Sequence, residues 1–391
     1  MATKAKAVTV NTNGASAPAT VTTPPVTYFV GQYIEDMRDM AITALVTGWH
    51  GLIMGAPGWG KTDMLLSFLN TVYGQGGYCF LRVNEGLKPD KVEGSTDMNH
   101  LIQHSEFRLN PAHTPYDTGY NAVLLDEAFR GNDLVYSLFI DLLDRKDLGR
   151  VMPVLATANF LPTGKKHEAL LDRVSLWHWV TPGALDAKAV ARVQAQRREG
   201  DPLPLVPGKL PTLAELDFCH NALPGPKALD AQDAAIDLLQ AEMTKAGRLL
   251  HPRRITMFSK VLMRMSYYYT GSNNFDRVPD EAMAALRFAM PALTEAEYRD
   301  WASLITAIKD PIQAAVDKIR GEAAEIVNDL AGKQGATDED KLAGIKKLMA
   351  LDKSLKTLLA QNAGNAAIQA ASAEIRGWFD KVYAGERVER V

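Results

Sequence analysis

Gly55-Ala56-Pro57-Gly58-Trp59-Gly60-Lys61-Thr62 is the stretch on which the reading of this 391-residue chain turns. A short apolar run, Leu52-Ile53-Met54, precedes it, and Met64, Leu65, Phe68 and Leu69 follow at helical spacing. That order is strand, glycine-rich turn, helix. In that context the spacing G-x-x-x-x-G-K-T is a phosphate-binding loop. Glycines allow the backbone to wrap a phosphate chain with its N–H groups turned inward. The helix N-terminus beginning at Lys61, Thr62 and Asp63 adds partial positive charge. Lys61 can reach the β- and γ-phosphates, and Thr62 can offer a hydroxyl to Mg²⁺. An accidental glycine-rich turn is the alternative, and the flanking strand and helix count against it.

Downstream, Ala122-Val123-Leu124-Leu125 runs into Asp126-Glu127. Continuous apolar residues ending in carboxylates suit a buried strand of a parallel sheet. Alone the pattern is weak, since a strand can simply run into solvated acids. After a phosphate-binding loop it becomes a candidate for the second half of a nucleotide site, with Asp126 serving the Mg²⁺ shell and Glu127 polarising the attacking water. A further strand, Met152 to Ala158, ends at Asn159, which can orient that water or sense the γ-phosphate. Its alternative is an asparagine chosen for the turn before Leu161-Pro162. Further strands are expected at Tyr78–Val83 and Val174–Val180, and helices at Asp133–Arg145 (inward face Leu134, Leu138, Leu142) and Glu168–Arg173. Alternating strands and helices imply an α/β core with a parallel, five-stranded sheet, and ligands bind such sheets at the carboxyl ends of the strands. Lys61, Asp126, Glu127 and Asn159 would gather there.

The rest of the chain adds limits. Net charge is −3, so no global basic field points to nucleic acid. Cys79 and Cys219 fit no metal or redox spacing and read as reduced thiols of an intracellular, cytoplasmic protein. No apolar run approaches the ~20 residues that span a bilayer. His100 and His104 share a helical spacing, but Leu101 stands where H-E-x-x-H needs its glutamate, so no zinc site is expected. The expected organisation is a flexible tail over 1–25, an α/β core over 26–183, a helical lid with a proline-rich connector over 184–305, and a helical segment over 306–391. His251-Pro252-Arg253-Arg254 opens a helix, and two arginines at a helix start oppose its dipole, which is easier to understand if one faces an anion. In the last segment Ile312, Val316, Ile319, Ala323, Ile326 and Leu330 alternate at spacings of four and three, an a/d-like seam. A second helix capped by Thr337-Asp338 and a third through Ile368, Ala371, Ile375, Trp378 and Val382 complete a small bundle or hairpin.

With these residues in view, the chain from about Tyr28 to Leu304 resembles the MoxR branch of the AAA+ ATPases, and within it the RavA-like group. Val30-Gly31-Gln32 is similar to the family's adenine-side motif, GAPGWGKT to its Walker A, LLDEAFRGN to its Walker B with trailing Arg130, and LATANFLP to its sensor 1 strand. The resemblance implies ATP and Mg²⁺ as cofactors, with Val30, Gly31 and Gly55 to Asp63 on the nucleotide, and Thr62 and Asp126 toward the metal. It assigns Glu127, Asn159 and Lys61 to catalysis. EALLDRV resembles the segment carrying the arginine finger, which implies Arg173 acting on a neighbouring subunit's site; the alternative is an ion pair with Asp172 or Glu168. HPRR resembles the start of the sensor 2 helix, which implies Arg253, with Arg254 in reserve. The proline-rich connector and the C-terminal helices depart from the RavA pattern, so that group's arm and its partner do not carry over.

The resemblance further implies a homo-oligomeric ring, commonly a hexamer, because site and finger sit on different subunits. The expected work is chaperone-like remodelling or activation of a protein client, with von Willebrand factor A-domain proteins as the partner class. Two other readings stay open. A nucleic-acid motor or loader would want basic, aromatic loops, and Lys165-Lys166-His167 and Arg197-Arg198 are small clusters. An ATP-locked structural assembly is the other, and the intact Asp126-Glu127 pair argues against it.

Overall fold

A computed structural model describes residues 32–144, 152–162, 168–180 and 205–388, except 249, 292, 310, 334–335, 362–365, 385 and 387. Val30, Gly31, the N-terminal tail and the basic clusters at 165–167 and 197–198 lie outside the described residues.

The first half alternates as expected: α1 (Gln32–Thr47), β1 (Gly51–Met54), α2 (Lys61–Tyr73) and β2 (Cys79–Arg82). Between Asn84 and Tyr120 the polar stretch makes a small antiparallel pair, β3 (Ser95–Thr96) with β4 (Leu109–Asn110), around α3 (Met98–His104). Then come β5 (Val123–Asp126), α4 (Asp133–Leu143), β6 (Val154–Ala158), α5 (Glu168–Arg173) and β7 (Leu176–Trp179). Five of these strands form one parallel sheet in the order β2-β5-β6-β1-β7.

The pleat decides which side each residue faces. Ile53, Leu124, Leu155 and Leu176 pack with Met37 and Leu45 of α1 and Met64 and Phe68 of α2. Their chain neighbours Leu52, Val123, Val154 and Trp177 pack on the opposite face with Val135 and Phe139 of α4. Both faces are therefore covered, which explains why the strands read as unbroken apolar runs.

Helix α4 departs from expectation at Leu134, while Leu142 is buried and Leu138 packs against the core. Leu134 is exposed, and the inward residues are Val135, Tyr136, Phe139, Leu142 and Leu143. Seven of its eleven residues from Asp133 to Leu143 are aliphatic or phenylalanine, so the sequence left its phase open. The Asn132 side chain accepts from the Val135 amide and starts the helix where the other stripe turns inward.

The second half is helical: α6 (Leu213–Asn221), α7 (Pro226–Lys245), α8 (Pro252–Thr270), α9 (Asp280–Ala285) and α10 (Glu295–Lys309). These helices, with Phe288 in the turn after α9, continue the apolar cluster of α1 and α2 through Phe258, Val261, Leu262 and Trp301. Polar ties fix the same contact. Arg264 donates to the Thr47 carbonyl at the end of α1, and His220 Nε2 lies 2.7 Å from the Leu45 carbonyl. Arg287 pairs with both Asp36 and Asp39 of α1 at 2.9 and 3.2 Å.

The chain ends in α11 (Pro311–Gly332), α12 (Asp338–Gln361) and α13 (Ala366–Ala384), a three-helix bundle with its own core. Val316, Ala323 and Val327 of α11, Leu348 and Leu355 of α12, and Ile368, Ile375 and Trp378 of α13 fill it. Of the expected seam, Ile319, Ile326 and Leu330 are only partly buried, because Ala324 and Val327 share the inward stripe. Leu342 and Met349 of α12 are exposed.

Two histidines, His50 half-buried and His178 buried, make the fold acid-sensitive. The Val154 amide donates to His50 Nδ1 at 3.1 Å, so His50 Nε2 carries the proton and donates to the Leu143 carbonyl at 2.9 Å. His178 in β7 meets the Tyr298 hydroxyl at 2.8 Å and an edge of Phe288. Burial pushes His50 down to about 4, and burial with nearby Arg287 pushes His178 down to about 3. The unfolded chain therefore binds more protons between these values and the ordinary histidine range near 6.5, so stability is full above that range and falls with acidification. Thermal melts should lose roughly 2.5 kcal/mol per histidine between pH 7 and pH 4.5. A flat profile across that window would show that both imidazoles titrate normally in the fold.

Candidate nucleotide site

All five parallel strands end at one edge of the sheet, and the turn between β1 and α2 lies over it. Gly58 and Gly60 hold φ of 89° and 69°, values that side chains rarely adopt. Gly55 sits at φ 154°, and a Cβ there would lie 3.0 Å from the Cβ of Val180, so the residue just after β7 packs against the loop. The Trp59 ring meets Tyr33 of α1 edge-on at 5.8 Å. Lys61 is the first residue of α2 and is buried. Its amine donates to the Gly55 carbonyl at 2.9 Å, the Ala56 carbonyl at 2.8 Å and Asn159 Oδ1 at 2.8 Å. All three of its N–H groups are thus used. Burial pulls the Lys61 pKa down to about 8, against the opposing pull of Asp126 and Glu127.

Asp126 closes β5 and lies buried against α2. Thr62 Oγ1 donates to its Oδ1 at 2.6 Å, Thr157 Oγ1 donates to the same oxygen at 2.8 Å, and Arg82 Nε donates to Oδ2 at 3.0 Å. Burial alone would raise this carboxyl, but the three donors outweigh it and hold Asp126 below the usual aspartate range. Stability from this group is present above the ordinary aspartate pKa and is lost as pH falls through the lower folded value.

Glu127 leaves the strand in the left-handed region, φ 55° and ψ 45°, which costs a non-glycine residue about 1 kcal/mol. The Thr157 hydroxyl accepts the Glu127 amide at 3.2 Å and secures that turn. The Glu127 carboxylate accepts from Asn159 Nδ2 at 3.3 Å and pairs with Arg130 Nη1 at 2.8 Å. Lys61, Thr62, Asp126, Glu127 and Asn159 therefore form one continuous hydrogen-bonded network.

Arg173 and Arg253 are engaged elsewhere. Arg173 Nε pairs with Asp144 Oδ2 at 2.6 Å and its Nη1 donates to the Ala169 carbonyl at 2.7 Å. Its acidic neighbour is thus Asp144, where the sequence had pointed to Asp172 or Glu168. Asp172 instead pairs with Arg253 at 3.2 Å, and both of those side chains are largely exposed. Arg254 is turned inward against Met257. The His100 ring lies tilted against His104, with centroids 4.6 Å apart, and its Nε2 is 3.5 Å from Glu106.

Two members of the network were missed in the sequence, Thr157 and Arg82. Each carried a signal: a hydroxyl inside the apolar run Val154–Ala158, and a cation at the carboxyl end of β2. Register makes both legible. Arg82 is the in-register neighbour of Asp126, and Thr157 follows Ala156, which pairs with Leu125. In-register neighbours of a parallel sheet project to the same face.

The residues fit a nucleotide with its metal. A turn with left-handed Gly58 and Gly60 and a lysine at the helix start suit a phosphate chain. The Thr62 hydroxyl and Asp126 carboxylate are the hard oxygen donors that Mg²⁺ takes.

No family model matches the chain, and no curated protein matches it in sequence. Among solved structures, it is similar to a protein described as a candidate ATPase from Cytophaga hutchinsonii, at 16% identity over 70% of this chain and 88% of that one, with a TM-score of 0.46. It is also similar to C. elegans PCH-2, at 18% identity over 71% of this chain and 69% of that one, with a TM-score of 0.24. With identities and superpositions this low, the assignment of the fold rests on the sheet and the loop themselves. Among the described residues, no helix is long and apolar enough to cross a membrane.

Proposed function

We propose that the chain is a Mg²⁺-dependent ATPase of AAA+ type that works as a ring, commonly a hexamer, on a protein client. The observation that carries the ATPase reading is the network joining Lys61, Asn159 and Glu127 with the Thr62–Asp126 pair beside it. That reading is supported by Lys61, Thr62, Asp126, Glu127 and Asn159 lying, with Thr157, in one hydrogen-bonded set at the strand ends.

Each side chain has a task in this reading. The loop backbone and Lys61 hold the phosphate chain. Thr62 and Asp126 would hold Mg²⁺, which when bound supplies charge neutralisation on the phosphate oxygens. Glu127 accepts a proton from the attacking water, with Asn159 Nδ2 orienting its Oε1. Arg173 completes a neighbour's site, and Arg253, at the start of α8, couples nucleotide state to the helices that pack on α1. The MoxR-like motifs support the client-remodelling role and the expectation of a von Willebrand factor A-domain partner.

Phosphate release from ATP tests the reading directly. The purified chain should hydrolyse ATP with Mg²⁺ and lose both nucleotide binding and turnover on Lys61→Ala. An unaltered chain that binds no ATP in Mg²⁺ would overturn it.

A further inference from the structure

Arg82 is the residue of this network whose presence the nucleotide reading does not require. It is the last residue of β2, lies in register with Asp126, and its side chain is 69% exposed beside a carboxylate only 6% exposed. The two oxygens of Asp126 are unequally committed. Oδ1 accepts from both Thr62 and Thr157, which uses its lone pairs, so an incoming cation or its water must approach Oδ2. Oδ2 is where Arg82 Nε donates at 3.0 Å.

A buried carboxylate without a countercharge is costly. Lys61 does not serve Asp126 by contact, since its three donors go to Gly55, Ala56 and Asn159. The guanidinium therefore supplies the contact charge. A divalent cation drawn to the remaining lone pair of Oδ2 meets that positive group at close range, and like charges repel most strongly where water is scarce. Because Arg82 is mostly in solvent, it can leave at small cost.

We propose that Arg82 is a built-in counter-cation that occupies Asp126 when the metal seat is empty and is displaced as Mg²⁺ arrives with nucleotide. The proposal rests on the Mg²⁺-nucleotide reading above. It makes Arg82 a positioning residue that sets how strongly metal enhances nucleotide binding, and that keeps Asp126 from standing as an uncompensated buried charge.

The test compares the affinity of a fluorescent ATP analogue in Mg²⁺ and in EDTA for the full chain, Arg82→Gln and Arg82→Lys, with circular dichroism to confirm folding. In Arg82→Gln the ratio of the two affinities should rise about threefold, in line with the loss of a mostly exposed ion pair. The metal-free melting temperature of that variant should fall. Arg82→Lys, which keeps a cation at the strand end, should stay close to the unaltered chain in both. An unchanged ratio in Arg82→Gln would overturn the proposal, and so would a reduced one, which would place Arg82 on the nucleotide itself. Absence of any Mg²⁺ enhancement in the unaltered chain would instead defeat the nucleotide reading on which the proposal stands.

Discussion

Glu127→Gln should lower phosphate release at least about 100-fold while leaving ATP affinity within about threefold of the unaltered chain. The substitution is isosteric and keeps an oxygen for the Asn159 Nδ2 donor. In the proposed reading it removes the group that takes the proton from water. Binding should survive because Glu127 contacts neither the loop backbone nor Thr62; its partners are Asn159, Arg130 and the Thr157 hydroxyl. Stability should change little, since Gln bears the same left-handed backbone strain as Glu. Single-turnover phosphate release alongside equilibrium binding separates the two effects. Turnover within a few-fold of normal would move the catalytic role to another residue. The same variant held in ATP is the natural bait for a client, because it stalls the nucleotide-bound state.

Arg173→Ala should cut turnover by about 10³-fold with binding intact, the loss associated with an arginine acting on the transferring phosphoryl group. In this chain Arg173 donates to Asp144 and Ala169 rather than to the Lys61–Asn159–Glu127 network. A role in catalysis therefore requires a second subunit. Mixing Arg173→Ala with Lys61→Ala should restore part of the activity, because some interfaces then join an intact loop to an intact arginine. Failure to recover any turnover in mixed assemblies would remove the trans role. Breaking the exposed Arg173–Asp144 pair should itself cost less than about 1 kcal/mol, so a large drop in melting temperature would point to a structural duty instead.

Much of the site could be read in the sequence because its residues carry signals in their immediate neighbourhood. Gly55 to Thr62 announces its backbone shape through glycine spacing, and Asp126-Glu127 stands out as acid at the end of an apolar run. Asn159 is marked by the strand before it. Arg82 and Thr157 lack such marks. They matter because β2 and β6 flank β5 in register, and pairing between strands far apart in the chain is not written in either strand alone. The same holds for α4, a largely apolar helix whose expected inward face included Leu134 until the Asn132 cap and the sheet selected another.

The chain's own order of residues determined the phosphate-binding turn, the parallel α/β core, the helical second half and the three terminal helices, since each follows from local spacing, caps and breakers. Tertiary structure alone decided the strand order, the alliance of Arg82 and Thr157 with Asp126, the pairing of Arg173 with Asp144, and the packing of α8 on α1. The physical reason is common to all four. Propensity and periodicity act over one or two turns of chain, whereas these contacts depend on which apolar faces find each other across long separations. Once the sheet had chosen its neighbours, a cation at the end of β2 stood beside a buried carboxylate at the end of β5.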